Sequence, residues 1–339
     1  MKRHTDPAAL SPWVRRFLLE HLVGERNLSG NTQRSYRDTL RLLIPFAARY
    51  AARPIDDLRV EDISSEVVRG FLRELEHQRG CGAATRNQRL AAVRALARFI
   101  AGLCPELLQW ASAIRTIATK KTRSQPVHYL EKAEMEALLA APQRSTALGR
   151  RDYALLLFLL NTGARASEVA QVQIRDLELG GVASVDRSWV VIHGKGAKER
   201  HCPLWKRTVE ELRLLVNGRD PDKYIFVNRS GDSMTRFGIR GVVKRYTDAA
   251  AKTVPSLARK RVSTHTIRHT AAMHLLREGV DINTIRAWLG HESLSTTNVY
   301  AEADLEMKAK ALAQCQVGEE ATSPPWREDQ ELMAFLRSL

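Results

Sequence analysis

The chain has 339 residues, 44% of them hydrophobic and 27% charged, a composition that excludes a disordered polypeptide and suits two domains, with three within reach. Its 53 Lys and Arg against 38 Asp and Glu leave a formal charge of +15, which favours a polyanionic partner, nucleic acid first, although a merely basic protein would share that balance. No run approaches the roughly 18 apolar residues of a membrane helix, the first residues lack a secretory apolar stretch, and the four Cys (81, 104, 202, 315) form no CxxC pair, so free thiols in a reducing, cytoplasmic compartment are expected.

Residues 12–112 read as several amphipathic helices. One starts near Ser29, a good N-cap, and places Tyr36, Leu40, Leu43 and Ala47 at helical spacing; Pro45 is expected to kink or end it. A second, ATRNQRLAAVRALARFI, puts Leu90, Val93, Ala97 and Ile100 on one face, with Arg86, Arg94 and Arg98 elsewhere on its surface. Those arginines are candidates for DNA phosphate contacts, and a solvated basic face is the equal alternative. Residues 116–128 lose periodicity and gain Lys, Ser and Pro, which predicts a flexible linker; Lys120 and Lys121 there are further candidates for DNA binding.

RDYALLLFLLNTGARASEVAQV predicts a strongly apolar helix, a break at Gly163, then a second helix. From 189 the period changes. WVVIH (189–193), HCPL (201–204) and YIFV (224–227) predict a small antiparallel sheet, with GKGAKER (194–200) as a hairpin turn that carries Lys195 at its tip. Helices resume from about 235 to 313, and the tail ends in a short apolar stripe, Leu332, Phe335, Leu336 and Leu339. Charge follows this division. Residues 1–118 carry 19 basic against 12 acidic side chains, 131–310 carry 29 against 21, and the tail from 311 is acidic, 2 against 5.

Four stretches carry unusual polar chemistry: TGARASE, with Arg165 and Glu168; HGKGAKER, with Lys195; HTIRH, with His265 and Arg268 three apart on a helix; and LGHESLSTTNVY, with His291 nine positions before Tyr300. Each alone is commonplace: a surface arginine, a turn lysine, a satisfied core histidine, a half-buried tyrosine. Together they suit attack on a phosphodiester. Guanidiniums and an imidazole can hold the charge that grows on the non-bridging oxygens. A phenol with a pKa near 10 needs cations and a base before it becomes a nucleophile. A mobile lysine can protonate the leaving 5′ oxygen, and Glu168 can orient Arg165 or His265 in a supporting role.

In this order and roughly this spacing, TGARASE, the GKG lysine, HTIRH, LGH and the later tyrosine closely resemble the tyrosine recombinase (phage integrase) family. The resemblance covers about residues 12–310 and is strongest from 150 to 302; LSGNTQRSYRDTL and TRNQRLAAVRAL look like that family's helical core-binding domain. Ala164 departs from the leucine common after the TG pair. The fold so implied is mainly α. A helical, SAM-like core-binding domain (1–118) and a basic linker (119–130) precede a mixed α/β catalytic domain with a small antiparallel sheet (131–313). An acidic tail (314–339) follows, a candidate for docking on a partner or on its own chain. The resemblance makes Arg165, Lys195, His265, Arg268 and His291 the activating set and Tyr300 the nucleophile. The implied reaction is metal- and ATP-free cleavage and rejoining of duplex DNA through a 3′-phosphotyrosine. It would serve integration, excision or resolution, with a mobile element the expected setting. Implied partners are double-stranded DNA held in a two-domain clamp, a second copy on each site, a tetramer in the synapse, and a second recombinase or accessory protein.

Three other readings compete. His265 and His269 stand four apart like zinc ligands, but the zinc-protease motif needs Glu where Thr266 stands. A type IB topoisomerase uses related chemistry on one duplex. A DNA-binding regulator with a silent site would not require Tyr300.

Overall fold

The computed structural model describes residues 8–122, 128–180, 188–194 and 198–290. The chain divides into two compact units, Met1–Ser124 and Gln125–Leu339. Among the described residues no helix is long and apolar enough to cross a membrane.

The first unit holds helices α1 (Leu10–Arg16), α2 (Gly30–Ala51), α3 (Ser65–His77), α4 (Ala83–Leu103) and α5 (Leu108–Arg115), with a π-helical stretch at Phe17–Glu25. Ser29 caps α2 by accepting from the Thr32 amide at 3.4 Å. α2 does not end at Pro45 but runs on to Ala51, where Ala52 turns left-handed at φ 50°. Pro45 deprives the Arg41 carbonyl of its usual donor, yet Leu43, Ala47 and Ala48 are buried on either side of it. That apolar seating holds the helix through the defect. α4 buries Leu90, Val93, Ala97 and Ile100, as its periodicity predicts.

The stretch expected to open the flexible linker is instead fastened to α4. Ile117 is 2% exposed. Arg86 donates to the Ala118 carbonyl at 2.8 Å, and Arg94 donates to the carbonyls of Arg115 and Ile117. Asn87 exchanges two bonds with the Lys120 backbone, at 2.7 and 3.0 Å. Backbone carbonyls that fall outside regular structure need donors, and these α4 side chains supply them.

The second unit holds α6 (Lys132–Ala140), α7 (Ala147–Thr162), the one-turn α8 (Ala166–Val169), strands β1 (Leu177–Glu178), β2 (Trp189–His193) and β3 (Glu199–Pro203), then α9 (Lys206–Val216), α10 (Arg236–Ala250), α11 (Thr264–Arg277) and α12 (Ile282–Leu289). From Asp152 to Thr162 every residue of α7 is buried, and the helix packs on α9 and α11. The sheet is antiparallel in the order β1-β2-β3, with Val190 opposite Cys202 and Ile192 opposite Arg200. Its third strand is Leu177–Glu178, not YIFV. Ile225 and Phe226 are buried, but their stretch meets neighbours only in isolated bridges, Gln173 to Tyr224 and Val227 to Ser233.

If the α4 staples hold residues 115–120, Arg94→Ala should lower the stability of the first unit by about 1–3 kcal/mol, since two carbonyls lose their donor. Urea unfolding checks this; an unchanged midpoint would show the staple to be idle.

Candidate active site

Gly163 starts the site. It ends α7 with φ 59°, in the left-handed region, and a Cβ there would lie 2.5 Å from Leu289 Cδ2. Only glycine allows this turn and the close approach of α12 together. The chain then extends at Arg165 (φ −71°, ψ 147°) and re-enters helix as α8. Glu168, in the first turn of α8, reaches back to accept from the Arg165 amide at 2.9 Å and from its guanidinium Nη1 at 2.7 Å. One carboxylate thereby fixes both the backbone and the side chain of Arg165.

Arg268 arrives from α11. It is 4% exposed and donates from Nη1 to the Gly163 carbonyl at 2.7 Å and from Nη2 to the Leu289 carbonyl at 2.6 Å. It therefore ties together the end of α7 and the end of α12, two residues from Arg165. His265 lies one turn earlier on α11, whose start Ser263 caps through the Thr266 amide at 3.2 Å. Desolvation of its ring, then the charges of Arg268, Arg240 and Arg165, hold the His265 imidazole below its ordinary value. The residue as a whole is exposed. Near neutral pH it is uncharged, able to accept a proton or donate one hydrogen bond.

The structure thus brings Arg165, His265, Arg268 and Glu168 together. Lys195, His291 and Tyr300 lie outside the described residues, as do the helix expected at 303–313 and the stripe at 332–339. Of the DNA-binding candidates, Arg86 and Arg94 are engaged within the first unit. Arg86 is 8% exposed and Arg94 is half-buried, and both guanidiniums donate to the carbonyls described above. Arg98 and Lys121 are exposed; Lys120 is exposed but paired with Glu76 at 2.7 Å. His269 is half-buried, and burial, then His265 and Arg268, lower its pKa. Among the described residues no group of three or more His, Cys, Asp or Glu is placed to hold a metal.

One participant was not anticipated. Arg200, on β3, donates from Nη2 to Glu168 Oε2 at 2.7 Å, and its side chain is 10% exposed. Burial alone would raise the Glu168 carboxyl; the Arg200 hydrogen bond and charge, with the Arg165 amide and guanidinium, outweigh it and hold the carboxyl below its ordinary value. With His265 neutral, three guanidiniums stand against one carboxylate. The solvent-open edge at Arg165, whose side chain is 37% exposed, is therefore cationic.

Because its pKa is depressed on folding, Glu168 stabilises the protein above the ordinary carboxylate range, and that contribution is lost as pH falls through its lowered value. Glu168→Gln should therefore melt below wild type at pH 7, with the gap closing as pH falls to about 3. Thermal melts across that range test this; a gap independent of pH would contradict it.

Comparison with known proteins agrees with this architecture. The family model for the phage integrase family matches residues 128–307, and that for the phage integrase N-terminal SAM-like domain matches residues 15–101. The chain is 38% identical to a putative integrase/recombinase, y4rC, of Sinorhizobium fredii, covering 99% of this chain and 100% of that one. It is 33% identical to the tyrosine recombinase XerC of Pelobacter propionicus, covering 86% and 91% respectively. The Tn1549 transposon integrase, solved with a circular intermediate DNA, shares the fold at a TM-score of 0.66 and 16% identity, over 89% of this chain and 99% of that one.

Proposed function

We propose, from the premise that the chain belongs to the phage integrase family and is a tyrosine-type site-specific recombinase, that it cuts and rejoins duplex DNA with Tyr300 as nucleophile. Arg165, Lys195, His265, Arg268 and His291 are its activating residues. The observation that carries this reading is the union of Arg165, Arg268 and a neutral His265 around the single turn Gly163–Glu168. Two fixed guanidiniums beside an uncharged imidazole match a phosphate that gains negative charge as it becomes five-coordinate.

The Tyr300 oxygen attacks phosphorus and gives up its proton to a neighbouring base, for which neutral His265 is suited. The bond from phosphorus to the 5′ oxygen breaks, and that oxygen takes a proton from Lys195. A 3′-phosphotyrosyl link and a free 5′-hydroxyl result. The 5′-hydroxyl of a second strand then attacks the link, and Tyr300 leaves with a proton restored. One phosphoester replaces another at each step, so no external energy source enters the balance. Glu168 holds Arg165 in register throughout.

Two copies bound to one site and four in the synapse complete the exchange in this reading. The C-terminal stripe Leu332–Leu339 docks on a neighbouring copy. An apolar cavity of about 220 Å³ in the second unit, lined by Leu160, Trp205, Ala271, Leu275 and Trp288, has the character to receive it. The full-length similarity to a putative integrase/recombinase favours movement of a mobile element as the setting. Inverted repeats flanking the gene would support that, and their absence would weigh against it.

A nicked duplex that traps the covalent intermediate tests the chemistry. Wild type should form a detergent-resistant adduct, Arg165→Ala should slow it by about 10²–10³-fold, and Tyr300→Phe should form none. Adduct formation by Tyr300→Phe would overturn the assignment. A chain cut after Gln316 should still form the adduct yet lose the two-site complex on native gels; intact synapsis would remove the docking role.

A further inference from the structure

Arg200 is a buried cation placed among the motifs rather than within one. Its strand partner across the hairpin is Ile192, and it stands on the inward face of β3 with buried Cys202. That position would ordinarily hold an apolar side chain. Its Nη2 reaches Glu168 at 2.7 Å, and its Nε is buried with no hydrogen-bond partner among the described residues. A guanidinium kept at such a site carries a desolvation cost that a surface position would not.

One glycine makes room for it, and a second lies beside it. A Cβ on Gly290, where φ is 66°, would come within 3.2 Å of Arg200 Nη1 and 3.3 Å of its Cδ. A Cβ on Gly194 would lie 3.8 Å from the same Nη1 and 3.9 Å from Glu168 Oε1. Gly194 immediately precedes Lys195 in the chain, and Gly290 immediately precedes His291. The backbone at Gly290 is thus moulded to the Arg200 side chain, and Gly194 lies in ordinary contact range of it.

From these contacts we infer that Arg200 is a positioning residue for DNA cleavage: it locks Glu168, and through Glu168 the guanidinium of Arg165, while seating the backbone at Gly290. The inference rests on the recombinase reading above. Arg200 need not touch DNA, because its donors are directed at a buried carboxylate. Its effect belongs to the chemical step and not to binding.

The test measures DNA affinity and single-turnover adduct formation at saturating nicked duplex for wild type, Arg200→Gln, Arg200→Lys, Glu168→Gln and the double variant Glu168→Gln/Arg200→Gln. Misplacement of a reacting group by about 1 Å can cost on the order of 100-fold. Arg200→Gln should therefore cleave about 100-fold more slowly with its DNA Kd within about threefold of wild type. Arg200→Lys, which keeps the charge but not the fork, should recover part of that loss. The double variant should be no slower than the slower single one, since both changes break one chain of contacts.

Wild-type cleavage by Arg200→Gln, or losses that multiply in the double variant, would overturn the inference and leave the recombinase reading standing. If Arg200→Gln fails to fold, Arg200→Lys carries the test alone: a slower chemical step at unchanged affinity supports the inference, and a wild-type rate overturns it. A wild-type chain that forms no adduct would instead sink the recombinase reading itself, and this inference with it.

Discussion

A carboxylate only 5% exposed must stay charged and yet be satisfied, and the second unit is arranged so that Glu168 can be. It accepts from the Arg165 amide, the Arg165 guanidinium and the Arg200 guanidinium. Removing one partner of such a set leaves the other charge uncompensated, which is far more costly than never building it. That asymmetry explains why the turn Gly163–Glu168 has so little freedom. Arg268 anchors the carbonyl at its start, Glu168 closes it, and Leu289 fills the space a side chain on Gly163 would need. The outward guanidinium of Arg165 is therefore presented at a fixed place by groups that all point inward.

The same arrangement separates two kinds of arginine. Arg268 and Arg200 are nearly buried and held rigidly, Arg268 by two carbonyls and Arg200 by a carboxylate. Arg165 remains 37% exposed and keeps donors facing solvent. An imidazole next to three arginines stays neutral because a further positive charge there is unfavourable. A cationic edge that carries its own neutral acid–base group is the electrostatic complement of a phosphodiester, and membership of the phage integrase family is what that edge agrees with.

Elements governed by local rules were legible before any coordinates. The Ser29 cap, the buried face of α4, the break at Gly163 and the hairpin strand WVVIH follow from capping, period and left-handed turns. What was not legible depended on tertiary partners. Pro45 sits inside a helix because apolar packing on both sides exceeds the loss of one hydrogen bond. Residues 116–128 look like a linker by composition, but α4 side chains cap carbonyls at its start. Arg86 and Arg94 look like surface cations until that pairing is seen. YIFV has strand chemistry without a strand beside it. Arg200 was hidden because the hairpin strand starts at Glu199, two residues before the apparent strand, so its inward register could not be read. Arg165, Glu168, His265 and Arg268 were found through motif spacing, which records a site assembled from distant parts of one unit.

The central claim is that this scaffold serves transfer of a DNA strand to one phenol. It is tested most directly by trapping the wild-type adduct on a nicked duplex, digesting both DNA and protein, and locating the residual nucleotide by peptide mass spectrometry. The account predicts the phosphate on Tyr300. A phosphate on Ser293, Ser295, Thr296, Thr297 or any other tyrosine would contradict it.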